Sequence, residues 1–378
     1  MPRIRTNFQS EAIYAGPSPA TGYHWRAAGN DALTFPTTGQ SRVNQIHRVQ
    51  DASYSFALSK KDLNQFGQAG YVDRIMVDSP VVNLQFSYVQ ANFTNEKNLG
   101  FTICSGAPMT CVSGFLSNTT DERNYFVKDT SEGSDAINNT AGNYVVYGFG
   151  NCVLSSYTAN GAVGDFPKAS VGVQGVNVLI QSNSGEAIPA VNPQNGSPIL
   201  GETFFLPYAT GDAGLGPLAY STLLPGDINL TLDYANLGVD CSDWMVENYA
   251  LSINMNRTPI KELGTKFNVA NPLQVPLNAT LTINARVGDA VTGNLADVIK
   301  CAANGYTARI SINKPACDQG VLTTDTGIAI QYEMRNCSLD SQSWNISVGG
   351  DKTVALAFTV PITGPESQSD GLYMSGIN

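Results

Sequence analysis

Two stretches of sequence share one pattern and decide the fold: SYSFALSKKDLNQFGQ at residues 53–68 and NYALSINMNRTPIKELGTK at residues 248–266. Each stretch opens with apolar residues at every second position. These residues are Tyr54, Phe56 and Leu58 in the first stretch and Tyr249, Leu251 and Ile253 in the second. A period of two is typical of a strand that buries one face and exposes the other. Each stretch therefore predicts a half-buried strand.

A short helix is predicted after each of these strands. In the first stretch Ser59 stands three residues before Asp62, which is the spacing of a capping box, and Gly67 supplies the stop. In the second stretch Thr258 is the candidate cap, a proline follows at the first helical position, and Gly264 ends the turn. Different residues thus predict the same arrangement, a strand followed by a short helix, in both stretches.

The repetition continues along the chain at a nearly constant spacing. Ten positions form the equivalent pairs Tyr54 with Tyr249, Gly67 with Gly264, Pro80 with Pro276, Cys152 with Cys337, and Gly164 with Gly349. The residue numbers differ by 195 to 197 in the first three pairs and by 185 in the last two. The second copy is therefore shorter by about 11 residues between the two groups. The order of the pairs and their steady spacing indicate a tandem duplication.

We call the spacing of 197 residues between Gly67 and Gly264 the long offset, and the spacing of 185 residues between Cys152 and Cys337 the short offset.

Later strands are predicted at matching places in the two copies. Pro80 and Pro276 each introduce a strand, at the first position, where a sheet tolerates proline. Near the end of each copy a further strand is expected to turn four residues inward: Val171 and Val173 in the first copy, and Leu356 and Phe358 in the second. One more helix is predicted at residues 294–303, before an Asn-Gly stop.

The sequence thus predicts an all-β protein with a few short helices, made of two tandem domains of the β-barrel or β-sandwich kind. The first domain spans residues 1–185, with an N-terminal arm and a polar insertion at 119–143 that forms an exposed loop or an extended hairpin. An ordered, proline-containing linker follows at 186–205. The second domain spans 206–378 and ends in a C-terminal tail that is expected to order only against a neighbour.

Composition excludes several classes of function. Charged residues make up 14% of the chain and the net charge is −10, which argues against a protein that grips nucleic acid through its phosphates. Only two histidines, His24 and His47, are present, so most histidine-based metal and acid–base chemistry is excluded. The first residues show no apolar segment of a secretory signal, and no run approaches the length of a membrane span. A protein that stays inside the cell is expected, without a membrane partner.

No motif points to catalysis, to a cofactor or to a metal ion. The sequence contains no GxSxG, Walker A or HExxH motif. Asp240, Asp243 and Glu247 are interpreted as a solvated turn, and Asp121 with Glu122 as part of a polar loop. A pair of carboxylates for glycoside hydrolysis stays open, because such pairs come from any strands that converge. The sequence therefore predicts a protein that is not an enzyme, with no catalytic, cofactor-binding or metal-binding residues.

The seven cysteines form no CxxC motif, so no zinc ribbon or thioredoxin-like site is indicated. Buried free thiols are the expected state.

Several segments resemble the tail tube proteins of tailed bacteriophages. They are residues 53–89 followed by NEKNLGF, and YVVYGFGNCVLSSYTANGAVGDFPKASVGVQGVNV at 144–178 in the first copy. In the second copy NMNRTPIKELG at 254–264 and WNISVGGDKTVALAFTVPI at 344–362 look like the same elements. Typical members of the family have a single copy and form hexameric rings. The duplicated chain is similar to the fused variety, in which three chains make a pseudo-hexameric ring.

This resemblance implies a virion structural protein that is assembled in the host cytoplasm. Its stacked rings would form a conduit for DNA, which passes through the lumen without tight binding. The implied partners are the chain itself and other tail proteins: the tape measure, the tail tip or baseplate, the terminator and, in some tails, a sheath. If the virion becomes oxidised after it leaves the cell, cysteines at equivalent positions of the two copies, such as Cys152 and Cys337, could form disulfides. Two alternatives stay open, namely another virion part (sheath-like, collar or decoration protein) and a secreted carbohydrate-binding β-protein. The second is disfavoured by the shortage of tryptophan, which is limited to Trp25, Trp244 and Trp344.

Overall fold

The computed structural model describes residues 11–17, 43–104, 109–117, 121–130, 136, 144–182, 188–198, 223–232, 244–287, 305–314, 317–318, 321–322, 327–346, 348–365 and 367–376. In this part of the chain the protein is all-β with two short helices, as predicted from the sequence. The strands are β1 Glu11–Pro17, β2 Asn44–Ile46, β3 Val49–Ala57, β4 Lys60–Leu63, β5 Asp73–Met76, β6 Val81–Val89, β7 Ile103–Cys104, β8 Glu122–Thr130, β9 Tyr144–Ala162, β10 Lys168–Gly175, β11 Asn177–Ser182, β12 Ile228–Leu232, β13 Trp244–Asn254, β14 Leu277–Val287, β15 Tyr306–Asn313, β16 Cys317–Asp318, β17 Val321–Leu322, β18 Ile328–Asn345, β19 Thr353–Ile362 and β20 Gly371–Gly376. The helices are α1 Thr94–Leu99 and α2 Ser113–Leu116, and a 3₁₀ turn spans Pro225–Asp227.

Eight antiparallel strands follow one another in the order β3-β6-β10-β9-β13-β14-β19-β18 within a 16-stranded sheet, and we call these eight the eight-stranded sheet. Their alternation of polar and apolar residues matches the pleat, so that one face is apolar and buried. Strand β14 shows this most clearly, since every second residue from Leu277 to Val287 is buried. Because a half-buried sheet must cover its apolar face, a second layer is required.

The second layer is reached through the two longest strands, β9 and β18. The first part of β9 pairs with β8 and β11, while its last part pairs with β10 and β13. In the same way, the first part of β18 pairs with β15 and β20, and its last part pairs with β19. Strands β1 and β12 extend this layer by pairing with β8 and β15. The main hydrophobic core contains buried residues from both halves of the chain, so the halves share one core.

The strand pairings of the first half recur in the second half. In the first, β3-β6-β10-β9 continues into β8-β1 and β11; in the second, β13-β14-β19-β18 continues into β15-β12 and β20. The register skips Ser155 in β9 and Asp340 in β18, which correspond to each other at the short offset. It also skips Gln50 in β3 and Glu247 in β13, which correspond at the long offset. Even the bulges therefore occupy matching places.

Backbone conformation repeats with the same offsets. Gly67 and Gly264 have φ of 86° and 90°, and Gly164 and Gly349 have φ of 83° and 81°. Asn151 and Asn336, which precede the equivalent cysteines, have φ of 51° and 59°. Positive φ is uncommon outside glycine, so its recurrence at the short offset is a specific likeness between the halves.

The predicted helices after β3 and β13 are wrong. Residues 60–63 form β4, which pairs with β5 in a hairpin whose tip holds Gly67. After β13, isolated bridges join Arg257 to Leu273 and Ile260 to Ala270, at positions that match the first hairpin at the long offset. Segments this short gain little from helix formation alone, and cross-strand pairing overrides the capping pattern.

Two other expectations about exposed segments need correction. Within the polar insertion at 119–143, residues 122–130 are no loop: they form β8, which lies between β1 and β9, with five consecutive buried residues. The alternative of an extended hairpin fits, since β8 and β9 pair antiparallel. The C-terminal tail holds β20, which is largely buried and pairs with β18 and β7 without any neighbouring molecule. Both strands are buried over several consecutive residues, so neither shows the alternation by which a half-buried strand is recognised.

The strands predicted to follow Pro80 and Pro276 are confirmed, as is the inward direction of the four residues Val171, Val173, Leu356 and Phe358. In the linker, Ile188 and Ala190 are buried against β1 and β8. The predicted helix at 294–303 lies outside the described residues, as do 199–205 of the linker.

Candidate assembly interface

The two halves meet where β13 pairs with the last part of β9. Seven residue pairs run from Asn248 opposite Ala162 to Asn254 opposite Ser156. The N–H of Val163 donates to the carbonyl of Glu247 at 2.9 Å, and the N–H of Met255 donates to the carbonyl of Ser155 at 2.9 Å. We call this contact the internal joint. It extends the sheet from four strands to eight.

A buried ion pair fastens the internal joint. Arg257, just after β13, binds both carboxylate oxygens of Asp121 at 2.6 and 2.7 Å, and its Nε donates to the carbonyl of Leu154 at 3.0 Å. The side chains of Arg257 and Asp121 are only 3% and 9% exposed. The prediction that Asp121 lies in a solvated loop is wrong. The arginine that covers it lies 136 residues away in the sequence, and no local sequence pattern indicates that contact.

A buried polar network also links the two halves. Oε1 of Glu96 accepts hydrogen bonds from the hydroxyls of Tyr88 and Tyr157, both at 2.9 Å, and from Nε2 of Gln90 at 3.1 Å. The hydroxyl of Tyr157 also lies 2.8 Å from that of Tyr332 in β18. Four of these five residues belong to the first half, and Tyr332 belongs to the second. The network therefore ties the halves together through a carboxyl group that the sequence did not single out.

Burial raises the pKa of Glu96, because the charged form loses its hydration. The folded protein then binds a proton more tightly than the unfolded chain, so stability falls as pH rises from about 4.5 through the raised pKa. In Glu96→Gln the acceptor Oε1 is kept and the amide replaces Oε2, which accepts no hydrogen bond from the described residues. We expect the free energy of unfolding of E96Q, relative to that of the wild type, to increase as the pH rises above about 4.5. Urea unfolding between pH 4.5 and 8 measures it; other carboxylates titrate in both proteins and cancel. A difference that stays constant with pH would contradict the assignment.

Strand β3 presents an open edge. Among the described strands it pairs with β6 alone, whereas its equivalent β13 pairs with both β14 and β9. Tyr54, Phe56 and Leu58 are 45%, 68% and 45% exposed. At the long offset their equivalents are Leu251, Ile253 and Met255, all of which are 0% exposed. The predicted strand is thus confirmed but its predicted burial is wrong, because none of the described strands covers β3 as β9 covers β13.

The last part of β18 presents a second open edge. Within the described part of the chain Ser338–Asn345 pairs with β19 alone, whereas the equivalent part of β9 pairs with two strands. Trp344 and Ile346 are 38% and 71% exposed; Ala159, the equivalent of Trp344, is 0% exposed. Nζ of Lys352 lies 4.1 Å from the centre of the Trp344 ring. The two open edges lie at opposite ends of the eight-stranded sheet, and each corresponds to one side of the internal joint.

The face of this sheet turned away from the core is mostly polar, and its cationic side chains Lys168 and Arg286 are paired with carboxylates. One cross-strand row runs over all eight strands: Asp51, Ser87, Ser170, Thr158, Ser252, Thr280, Thr359 and Ser338. The hydroxyls of Ser252 and Thr280 lie 2.6 Å apart. Asp51 is the one charged residue of the row. We call this surface the hydroxyl face.

Two hairpins project apolar side chains. Phe66 in the first hairpin and Leu263 in the second are fully exposed. The side chains of Asp78 and Lys261 form an exposed ion pair of 2.6 Å that joins the base of one hairpin to the other.

The ten equivalent positions proposed from sequence are distributed as follows. Three pairs have matching register: Gly67 with Gly264, Cys152 with Cys337, and Gly164 with Gly349. The strand pairings instead match Tyr54 with Leu251, two residues beyond Tyr249. Pro80 and Pro276 are one residue out of register by the same criterion. An alignment based on identical residues can be wrong by one or two positions within a strand, whereas the bulges and strand pairings fix which residues correspond.

The thiols of Cys111, Cys152 and Cys337 are free and buried, as expected, and that of Cys104 is partly exposed. Glu247, which was expected in a solvated turn, lies instead in β13 and accepts a hydrogen bond from Arg286; Asp240 and Asp243 lie outside the described residues. His47 donates its backbone N–H to Asn95 at 2.9 Å. Among the described residues no group of three or more His, Cys, Asp and Glu could hold a metal ion. Neither described helix is long and apolar enough to cross a membrane.

No protein-family model and no curated protein matches this chain. The features of the chain that bear on its function are the two open edges, the repeated pairings and the hydroxyl face.

Proposed function

We propose that the chain is a structural virion protein that forms the tail tube of a tailed bacteriophage. The observation that carries this proposal is that the two open edges match the two sides of the internal joint. A chain with such edges can add to a second copy in the way that its own halves add to each other. The contact is heterologous, so repetition gives a ring where the rotation closes and a filament where it does not. Closure with three chains would join six equivalent units.

Tandem fusion suits such an assembly. With two units on one chain, every second joint forms within the chain, at an effective concentration of order mM instead of by bimolecular encounter. Each chain adds eight strands to a ring, so three chains would give a barrel of about 24 strands with no free edge. Pairing both edges also removes the aggregation hazard that exposed strand edges present.

The hydroxyl face supports the assignment of a conduit for DNA. Duplex DNA carries one negative charge per about 1.7 Å, and a wall of lysine and arginine would hold it. Serine, threonine and asparagine side chains offer no such attraction, and the whole chain carries −10. With this face toward the bore, DNA passes without tight binding. The protein is then not an enzyme and needs no cofactor.

The remaining partners follow from the tube. Rings stack on further rings, and the exposed apolar hairpin tips are the surface we assign to that contact. The tube ends meet other tail proteins, and the site of the assembled protein is the virion, after assembly in the host cytoplasm.

Negative-stain electron microscopy of the purified protein, with a mass measurement on the same sample, tests the proposal. We expect rings or tubes with an open bore and a mass of three chains per ring. Rings without stacking would favour a collar or decoration protein instead. Tight binding of duplex DNA at physiological salt would contradict the conduit, and saturable binding in a glycan screen would revive the carbohydrate-binding alternative.

A further inference from the structure

The internal joint provides a template for the joint between chains. The short offset holds along β9 and β18, including their bulges, and the long offset holds from β3 to β6 against β13 to β14. Each residue of the internal joint therefore has one defined counterpart on an open edge. This inference deepens the proposed function, because it names the contact between consecutive chains.

We propose that β3 of one chain pairs antiparallel with the last part of β18 of a second copy, in one defined register. The pairs are Ala52 with Ile346, Ser53 with Asn345, Tyr54 with Trp344, Ser55 with Ser343, Phe56 with Gln342, and Ala57 with Ser341. Each pair is the counterpart of a pair between β13 and β9. The occupant of either edge is thus a second copy of this chain.

Side-chain exposure agrees with this register. In the internal joint the inward residues of β13 and β9 are buried, whereas their counterparts Phe56 on β3 and Ile346 just after β18 are 68% and 71% exposed. Tyr54 already packs on Tyr147 and Phe149 at 5.4 and 5.5 Å between ring centres, so it faces the second layer as Leu251 does. Pairing brings the ring of Trp344 opposite Tyr54, which closes the apolar layer at the edge.

Backbone groups at the ends of the joint agree as well. The internal joint is extended by the N–H groups of Val163 and Met255. Their counterparts are the N–H groups of Val348 and Leu58, whose residues are both exposed in the single chain. In the pairing they meet the carbonyls of Gln50 and Asp340 of the other copy. The added strand thus gains two backbone hydrogen bonds beyond the paired residues.

The two joints differ in one respect. Lys60 stands at the counterpart of Arg257 and is exposed in an ordinary hairpin position. The lysine ammonium group is a point charge and cannot make the bidentate contact that the arginine guanidinium makes with a carboxylate. The joint between chains therefore depends on strand pairing and apolar contact, without the ion pair of the internal joint.

Disulfide trapping in the full-length protein tests the register. Ser55 and Ser343 are exposed, lie on the hydroxyl face and become directly opposite in the pairing. Opposite residues of antiparallel strands lie about 4.5–5.5 Å apart between Cα atoms, which suits a disulfide. In Ser55→Cys/Ser343→Cys we expect, after mild oxidation, at least about tenfold more cross-linked chains than in either slipped pair, whose diagonal spacing is about 7–8 Å. The slipped pairs are Ser55→Cys/Ser341→Cys and Ser55→Cys/Asn345→Cys, and the wild type and the single variants control for native cysteines.

Each outcome separates this inference from the proposed function. A ladder that ends at three chains on a non-reducing gel supports both the register and the ring. A ladder of the designed pair in a sample without an open bore supports the joint and contradicts the tube. Stronger cross-linking of a slipped pair overturns the register. Rings in the microscope without cross-linking of any pair overturn this joint and leave the tube standing.

Discussion

Phe56→Asp is expected to leave the protein folded and monomeric. In the single chain this side chain is 68% exposed, so a carboxylate there is hydrated and the fold is retained. In the joint between chains the same carboxylate would be buried without a partner, at a cost of several kcal/mol. Since about 1.4 kcal/mol changes an equilibrium tenfold, association should weaken by at least about 100-fold. Sedimentation or light scattering measures the assembly, and a thermal melt checks the fold.

Two matched variants control this result. Ile253→Asp places the same charge at the equivalent position of the internal joint, where the side chain is fully buried, and should lower stability by more than about 4 kcal/mol. Gln85→Glu adds one charge to the exposed side of neighbouring β6 and should leave assembly intact. If F56D assembles like the wild type, β3 is not the joining edge.

Arg257→Ala is expected to lower the free energy of unfolding by about 3–5 kcal/mol, because it leaves the carboxylate of Asp121 buried without its cation. The loss is specific to burial: the exposed counterpart Lys60→Ala should change stability by no more than about 0.5 kcal/mol. Urea unfolding at low protein concentration, where chains do not associate, measures both.

The pair of variants Arg257→Met and Asp121→Leu separates the charge from the packing. Replacing both partners by apolar side chains removes the unpaired carboxylate, so the double variant should recover most of the stability lost in the single one. A double variant that is as unstable as R257A would mean that the arginine acts through its bond to the carbonyl of Leu154 instead.

Periodicity predicted the strands that alternate clearly, such as those after Pro80 and Pro276, since alternation of apolar residues is a local signal. Gly67 and Gly264 mark the same hairpin tip because both need a positive φ. The helices failed because a capping pattern is also local and says nothing of the strand that pairs with it. Residues 122–130 failed for the opposite reason, since polar side chains there are buried by partners far along the chain.

The candidate interface was only half predictable. The composition and the duplicated pattern predict that strand edges of this protein pair with strands of other subunits. Which copy stays uncovered does not follow from them, because Tyr54 and Leu251 present the same local pattern and differ only in what lies beside them. The partners of Asp121 and Glu96 are likewise set by tertiary contacts that no spacing encodes.

The common core of the two halves has a mechanical consequence. Since one cluster of buried side chains spans both halves, we expect the described strands to move together as one rigid plate. A tube wall made of such plates would flex only along the lines between chains. Each ring would then have three compliant lines in place of six, and its response to bending would follow threefold symmetry even though its wall is built from six similar units.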